Sequence, residues 1–125
     1  ADGRITLALQ RNRHGHYVTS GLVNGAPAEL LLDTGATAVA VPRELADKFK
    51  LKRGREVTLS TANGIARAYT TRIERLEIGE ITQFDVEATI VDNLPGGQIL
   101  LGMSFLKRLD FSQRGDTLIL ETSKP

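Results

Sequence analysis

The sequence predicts an all-β domain, barrel-like, with one or two short helices and one unit over residues 1–125. Three observations lead there. The dominant hydrophobic period is two, the repeat of a half-buried strand. Turn residues punctuate the chain between the apolar stretches. No linker or internal repeat divides its 125 residues, a length that suits a single core.

The elements follow in order. In "RITLALQ", Ile5, Leu7 and Leu9 alternate with Arg4, Thr6 and Gln10, which predicts a first strand. "RNRHG" (Arg11 to Gly15) is a polar turn, and "HYVTSGLV" (His16 to Val23) a second strand. Asn24-Gly25 is a hairpin signal, because both central residues of a type I′ turn need positive φ. "AELLLDTGA" begins polar and becomes wholly apolar, so its strand is expected to be buried on both faces. "AVAV" (Ala38 to Val41) is a short strand. Pro42 then opens a predicted helix, "PRELADKFK", with Leu45, Ala46 and Phe49 on its inner face. "REVTLSTANGIARAYTTRIERLEIG" reads as a long hairpin with its tip near Ala62-Asn63-Gly64. "FDVEATIV" places Phe84, Val86, Ala88 and Ile90 on one face. Pro95-Gly96-Gly97 is a loop. "QILLG" is an apolar strand, "MSFLKRL" a short helix with Phe105, Leu106 and Leu109 inward, and "DTLILE" (Asp116 to Glu121) a closing strand.

Composition excludes several classes. Hydrophobic content is 41% and charged content 25%, as in ordinary globular proteins rather than disordered ones. A formal net charge of +1 supplies no bulk field toward nucleic acid or an anionic membrane. The absence of cysteine rules out disulfides, a thiol nucleophile and a thiolate zinc site. His14 and His16 have no third ligand to complete a metal site, so no metal and no cofactor is expected. The basic runs "RNRH" and "KLKRGR" lack interleaved aromatics and read as solvated faces.

The chemistry concentrates at Asp33-Thr34-Gly35. Asp and Gly are turn residues, and a strand-ending turn accounts for them in isolation. The setting says more. Leu30, Leu31 and Leu32 carry the strand into the core and leave Asp33 at the edge of a dry environment. A carboxylate there is costly unless it is hydrogen-bonded or protonated. That cost is tolerated most often at functional sites.

"LLLDTGAT" resembles the active-site segment of the aspartic proteases, in particular the single-domain, retroviral-type (retropepsin-like) group. "ILLG" (Ile99 to Gly102) with its following helix resembles that group's second signature. "TANG" (Thr61 to Gly64), at a hairpin tip between the two, resembles the flap of a bacterial branch. The resemblance covers about Gly15 to Leu120. It implies a closed acid-protease barrel with one lobe per chain. It also implies a catalytic Asp33, supported by Thr34 and Gly35. Substrate-binding positions would be Ala36, Thr37, Ala62, Asn63, Gly64 and Ile65. Thr37 departs from the retroviral pattern, which generally has an acidic residue there.

Such an enzyme hydrolyses peptides with two carboxylates that share one proton. The chain has one DTG. Asp92 in "VDNL" and Asp110 in "LDFS" lack the following Thr/Ser-Gly. The second carboxylate is therefore expected from another copy, across the axis of a twofold homodimer. The expected partners are that copy and a protein or peptide substrate in extended conformation. Two alternatives stay open. One is a domain of this fold that binds peptides or dimerises with little or no proteolysis. The other is a lipocalin-like small-ligand barrel, which leaves the DTG unexplained. The chain begins at Ala1 rather than methionine, and bacterial members of the group often follow an N-terminal membrane anchor. A periplasmic or membrane-tethered location is the expectation from that resemblance.

Overall fold

The computed structural model describes residues 3–61, 63–94 and 98–123. Ala62 and the Pro95-Gly96-Gly97 loop lie outside the described residues. Among the described residues, ten strands form two sheets, β1 (Arg4–Gln10), β2 (Val18–Val23), β3 (Ala26–Leu32), β4 (Val39–Pro42), β5 (Glu56–Thr61), β6 (Gly64–Ile78), β7 (Ile81–Val91), β8 (Ile99–Leu101), β9 (Asp110–Arg114) and β10 (Thr117–Ser123). One helix, α1, covers Met103–Leu106. The larger sheet runs β2-β3-β8-β4-β7-β6-β5, and β6 returns to pair with β2 through Leu22↔Glu77 and Val23↔Leu76. That return closes a barrel, with β5 left outside the closure and, among the described residues, paired only with β6. The smaller sheet runs β1-β10-β9.

Two parallel pairings set up the site. β3 runs beside β8 with Leu30↔Ile99 and Leu32↔Leu101, and β4 runs beside β7 with Val39↔Ala88 and Val41↔Ile90. β8 and β4 meet antiparallel through Ala40↔Leu100. The DTG strand and the "ILLG" strand are thus hydrogen-bonded neighbours, although nearly seventy residues separate them in sequence. Leu30, Val39, Val41, Ile73, Ile99 and Leu101 fill the barrel, each essentially inaccessible to solvent. Burying side chains of this size is the main favourable term for folding, about 1.5–3 kcal/mol for each one.

Several expectations hold in detail. Asn24 and Gly25 both have positive φ, 50° and 83°, as the I′ turn between β2 and β3 demands. Phe105, Leu106 and Leu109 are buried, inward from α1 and the turn after it. Other expectations need correction. Pro42 does not open a helix; it ends β4, and only a 3-10 turn at Arg43–Leu45 follows. Ala46 and Phe49 are nonetheless buried, because tight turns can deliver apolar side chains to a core without a regular helix. The chain then reverses at Lys50 with φ 58°, which an α-helix cannot absorb.

β3 is not buried on both faces. Leu30 is inaccessible, but Leu31 and Leu32 are half-buried; the strand alternates, with Leu32 packed on the core and Leu31 turned away from it. Phe84 does not share a face with Val86, Ala88 and Ile90. It is 59% exposed while those three are buried. Asp85 takes φ 58° and flips the phase of β7, so Ile81 and Gln83 point inward before it and Val86 after it. β6 shifts phase opposite, where Ile73 and Leu76 are both buried with Glu74 and Arg75 between them exposed.

Candidate active site

The Asp33 loop is built from backbone pairing at both ends. The Asp33 N–H donates to the Leu101 carbonyl at 3.1 Å, and the Ala36 N–H closes a turn on the Asp33 carbonyl at 3.1 Å. The Met103 N–H then donates to the Ala36 carbonyl at 2.8 Å. Gly102 permits this approach. A Cβ there would lie 2.7 Å from the Ala36 carbonyl oxygen and closer still to that of Ala38. The side chain of Asp33 is oriented locally, since Oδ1 accepts the Gly35 N–H at 2.9 Å.

Beneath the loop sits a buried polar clamp. Ser104 Oγ donates to the Glu87 carbonyl at 2.7 Å and accepts the Val39 N–H at 3.0 Å. It ties α1 to β7 and β4 at once, so the strands flanking the loop cannot slide independently. Gln83 adds a second tie, donating from Nε2 to the Phe105 carbonyl at 3.0 Å.

Asp33 opens onto a cleft of about 680 Å³, within the usual range for a ligand site. Gly35, Ala36 and Thr37 line it. Leu59, Ser60 and Thr61 from β5 form a wall, and Val91, Leu94 and Leu100 an apolar floor. Sequence reasoning had not placed these last residues at the site. Leu59 had a readable signal, as an apolar position one strand-length before the hairpin tip. Leu94 and Leu100 had none, because the parallel β3–β8 pairing carries Leu100 to the cleft and the β4–β7 pairing carries the end of β7, which Leu94 follows.

The hairpin tip borders a second cavity that shares Thr61 with this cleft. Asn63 and Ile65 line that cavity with Arg67 and Asp92, and Ile65 is 82% exposed. Gly64 is exposed at the same tip. Thr61 Oγ1 caps the turn, accepting the Asn63 N–H at 3.2 Å and donating to the Gly64 carbonyl at 2.7 Å. Thr34 faces the other way from Asp33. It is exposed and lines a cavity of about 330 Å³ with Tyr17, Leu106 and Phe111. The remaining candidate acids are occupied elsewhere, Asp92 near Arg43 at 3.6 Å and Asp110 with Arg4 at 2.9 Å. Glu87 is the other carboxylate lining the Asp33 cleft among the described residues. Among those residues, too, no cluster of His, Cys, Asp and Glu could hold a metal ion, and no helix is long and apolar enough to cross a membrane.

A one-lobed closed barrel, with a DTG loop anchored on an "ILLG" strand and facing a hairpin, defines a retropepsin-like aspartic protease fold. The comparisons agree. The profile of the family described as "gag-polyprotein putative aspartyl protease" matches residues 19–108, and the chain belongs to that family. It is 37% identical to an uncharacterized protein in the cobV 5′ region of Sinorhizobium sp., over 96% of this chain and 53% of the relative. It is 35% identical to the uncharacterized protein RP867 of Rickettsia prowazekii (strain Madrid E), over 94% of this chain and 51% of the relative. The chain therefore spans about half the length of the curated relatives it matches. Among solved structures, it resembles a retropepsin-like aspartic protease from Rickettsia conorii, with a TM-score of 0.77, 32% identity, and coverage of 93% of this chain and 98% of that one. It also resembles EIAV protease complexed with the inhibitor HBY-793, with a TM-score of 0.61, 21% identity, and coverage of 77% and 89%. The last likeness is one of fold.

Proposed function

We propose that this chain is one half of an aspartic endopeptidase, active as a homodimer, with Asp33 from each subunit forming the catalytic pair. The observation that carries this reading is the placement of Asp33. A single DTG carboxylate, held by its own Gly35 N–H, faces an apolar cleft walled by a β-hairpin. In the assembled pair, one Asp33 is ionised and takes a proton from the attacking water. The other, protonated, donates to the carbonyl oxygen of the scissile bond. The first Asp33 then gives the water-derived proton to the leaving nitrogen as the C–N bond breaks, and a hydroxyl of the tetrahedral diol returns its proton to the second Asp33.

The remaining residues take roles around that pair. Gly35 orients the carboxylate, and Thr34 supports the twofold junction, where its exposed hydroxyl is available to the partner loop. Ala36 and Thr37 lie along the substrate backbone. The β5–β6 hairpin, with Asn63, Gly64 and Ile65 at its tip, acts as a flap that excludes water when it closes. An extended peptide would add backbone hydrogen bonds beneath it.

The small sheet supports dimerisation. Among the described residues, β9 is paired on one side only, with β10. Its five residues "DFSQR" are complementary to themselves in the antiparallel sense. Pairing about Ser112 would set Asp110 opposite Arg114 of the partner subunit, twice. Phe111, 41% exposed, shares its cavity with Thr34, so a partner docked on β9 would lie beside the DTG loop.

The test combines two measurements. Mass in solution at several concentrations reads the dimer. Cleavage of an unstructured protein from mildly acidic to neutral pH reads the activity, which should rise with the dimer fraction. A monomer that cleaves at full rate would overturn the paired-Asp33 reading, and a stable dimer that cleaves nothing would leave a binding domain.

A further inference from the structure

The Lys50–Arg55 run has no part in the chemistry above, yet it lines a cleft of about 710 Å³ at the root of the hairpin. Lys50, Lys52, Arg53, Arg55 and Arg72 all face that cleft. They are five of the sixteen Lys and Arg residues in a chain of net charge +1. Arg72 is occupied by Asp85 at 3.4 Å, and Arg53 stacks over the Tyr69 ring with 4.5 Å to its centroid. Lys50, Lys52 and Arg55 have no ion-pair partner among the described residues.

The loop that carries these cations is fastened at both ends. Asn24 Nδ2 donates to the Phe49 carbonyl at 2.8 Å. The Gly54 N–H donates to the Thr70 carbonyl at 2.7 Å, and the Arg55 N–H to Thr70 Oγ1 at 2.9 Å. Gly54 is so close that a Cβ would stand 2.6 Å from Thr70 Oγ1. The loop ends are therefore held where like charges gather, and a bound anion would relieve their repulsion.

The opposite wall selects the kind of anion. Glu74, Asp85 and Glu87 line the same cleft. A compact polyanion such as a polyphosphate would meet those carboxylates at close range. An extended peptide avoids this, with acidic side chains toward the loop and backbone N–H groups toward the glutamates. Glu87 also lines the Asp33 cleft, so the two cavities meet at that residue, and a peptide leaving the Asp33 cleft past Glu87 would enter the basic one.

We infer that this basic cleft is a docking site for acidic residues on the flanks of the peptide substrate, outside the segment held at Asp33. The inference rests on the protease reading given above. It makes the preferred substrate an extended peptide with Asp or Glu distal to the scissile bond. A twofold pair would offer one such cleft to each flank.

The experiment compares two peptides with one cleavable core, flanked by Asp and Glu in one and by Asn and Gln in the other. At low ionic strength, two or three exposed ion pairs should raise kcat/KM for the acidic peptide by about tenfold. The preference should shrink as salt screens it. In the Lys52→Glu/Arg55→Glu variant it should vanish while the neutral peptide is cleaved as before. Equal rates for the two peptides at low salt, or a loss in the variant that falls equally on both, would overturn the inference. Binding of both peptides to the Asp33→Asn variant separates this from the protease reading. If the parent protein cleaves neither peptide, the protease reading fails, and tighter binding of the acidic peptide still upholds the docking site. Equal binding sinks it.

Discussion

The Met103 N–H donates to the Ala36 carbonyl at 2.8 Å, and this one bond joins the two segments on which the site depends. Ala36 follows the DTG triplet, and Met103 begins α1 directly after "ILLG". The pairing of Asp33 with Leu101 lies next to it. The Asp33 carboxylate therefore takes its position from a strand, β8, that sits in the middle of the barrel sheet. A site built on core backbone is rigid, and the proposed pair of carboxylates would require that rigidity of each half.

Gly102→Ala should break that junction. The added Cβ meets two backbone oxygens, those of Ala36 and Ala38, and backbone cannot move aside as a flexible side chain can. Overpacking of this kind costs about 1–3 kcal/mol. Chemical denaturation should show a lower midpoint with an unchanged slope, and peptide cleavage should fall further than the folded fraction does. A variant as stable as the parent would mean that the loop has room to retreat.

Ser104→Ala tests the clamp beneath the loop. Removing Oγ leaves the Val39 N–H without its partner at a position of zero accessibility. A buried donor left unsatisfied costs about 1–3 kcal/mol, or several degrees of Tm in a chain of this size. An unchanged Tm would show that another acceptor takes over.

Most of the barrel was legible because its strands alternate cleanly and its turns carry their own chemistry. β1, β8 and the β2–β3 turn are where the sequence puts them. Reading failed where one backbone angle changes the phase. Positive φ at Asp85 turns Phe84 outward, and no pattern of apolar residues encodes that angle. It failed again at Pro42, since a proline that starts a helix and one that ends a strand look alike in one dimension. β9 went unread because "DFSQR" has a single apolar residue, and its five residues are all exposed. At the site, Asp33, Gly35, Ala36 and Thr37 were recognisable from a contiguous motif. Val91, Leu94 and Leu100 were not, because their meeting under Asp33 depends on long-range pairing.

Two substitutions separate the carboxylates in the cleft. Asp33→Asn is nearly isosteric and keeps an acceptor for the Gly35 N–H, so the fold should persist. Cleavage should drop by at least about a hundredfold with the loss of acid–base function. Glu87→Gln should leave cleavage of an uncharged peptide within about a factor of two, since an exposed side chain outside the acid–base chemistry contributes little. If Glu87→Gln instead abolished cleavage, the second carboxylate would lie within the same chain and the twofold pair would be unnecessary.

The β9 edge gives the last test, and it exploits the symmetry of "DFSQR". If two copies pair about Ser112, Arg114→Asp places like charges opposite each other at both ends of the junction, where Asp110 of each subunit then faces the carboxylate introduced in the other. Cross-strand like charges destabilise and opposite charges stabilise by roughly 0.2–1 kcal/mol for each pair. Two pairs should weaken the dimer by about tenfold, read as a shift in the concentration at which mass in solution doubles. Combining Arg114→Asp with Asp110→Arg restores opposite charges across the junction. The double variant should regain most of the lost affinity, even though it also gives up the exposed bond from Arg4 to Asp110. Recovery in the double variant is the signature that matters, because a general loss of stability would add in the two single variants rather than cancel. A double variant weaker than either single one would place the dimer contact elsewhere on the surface.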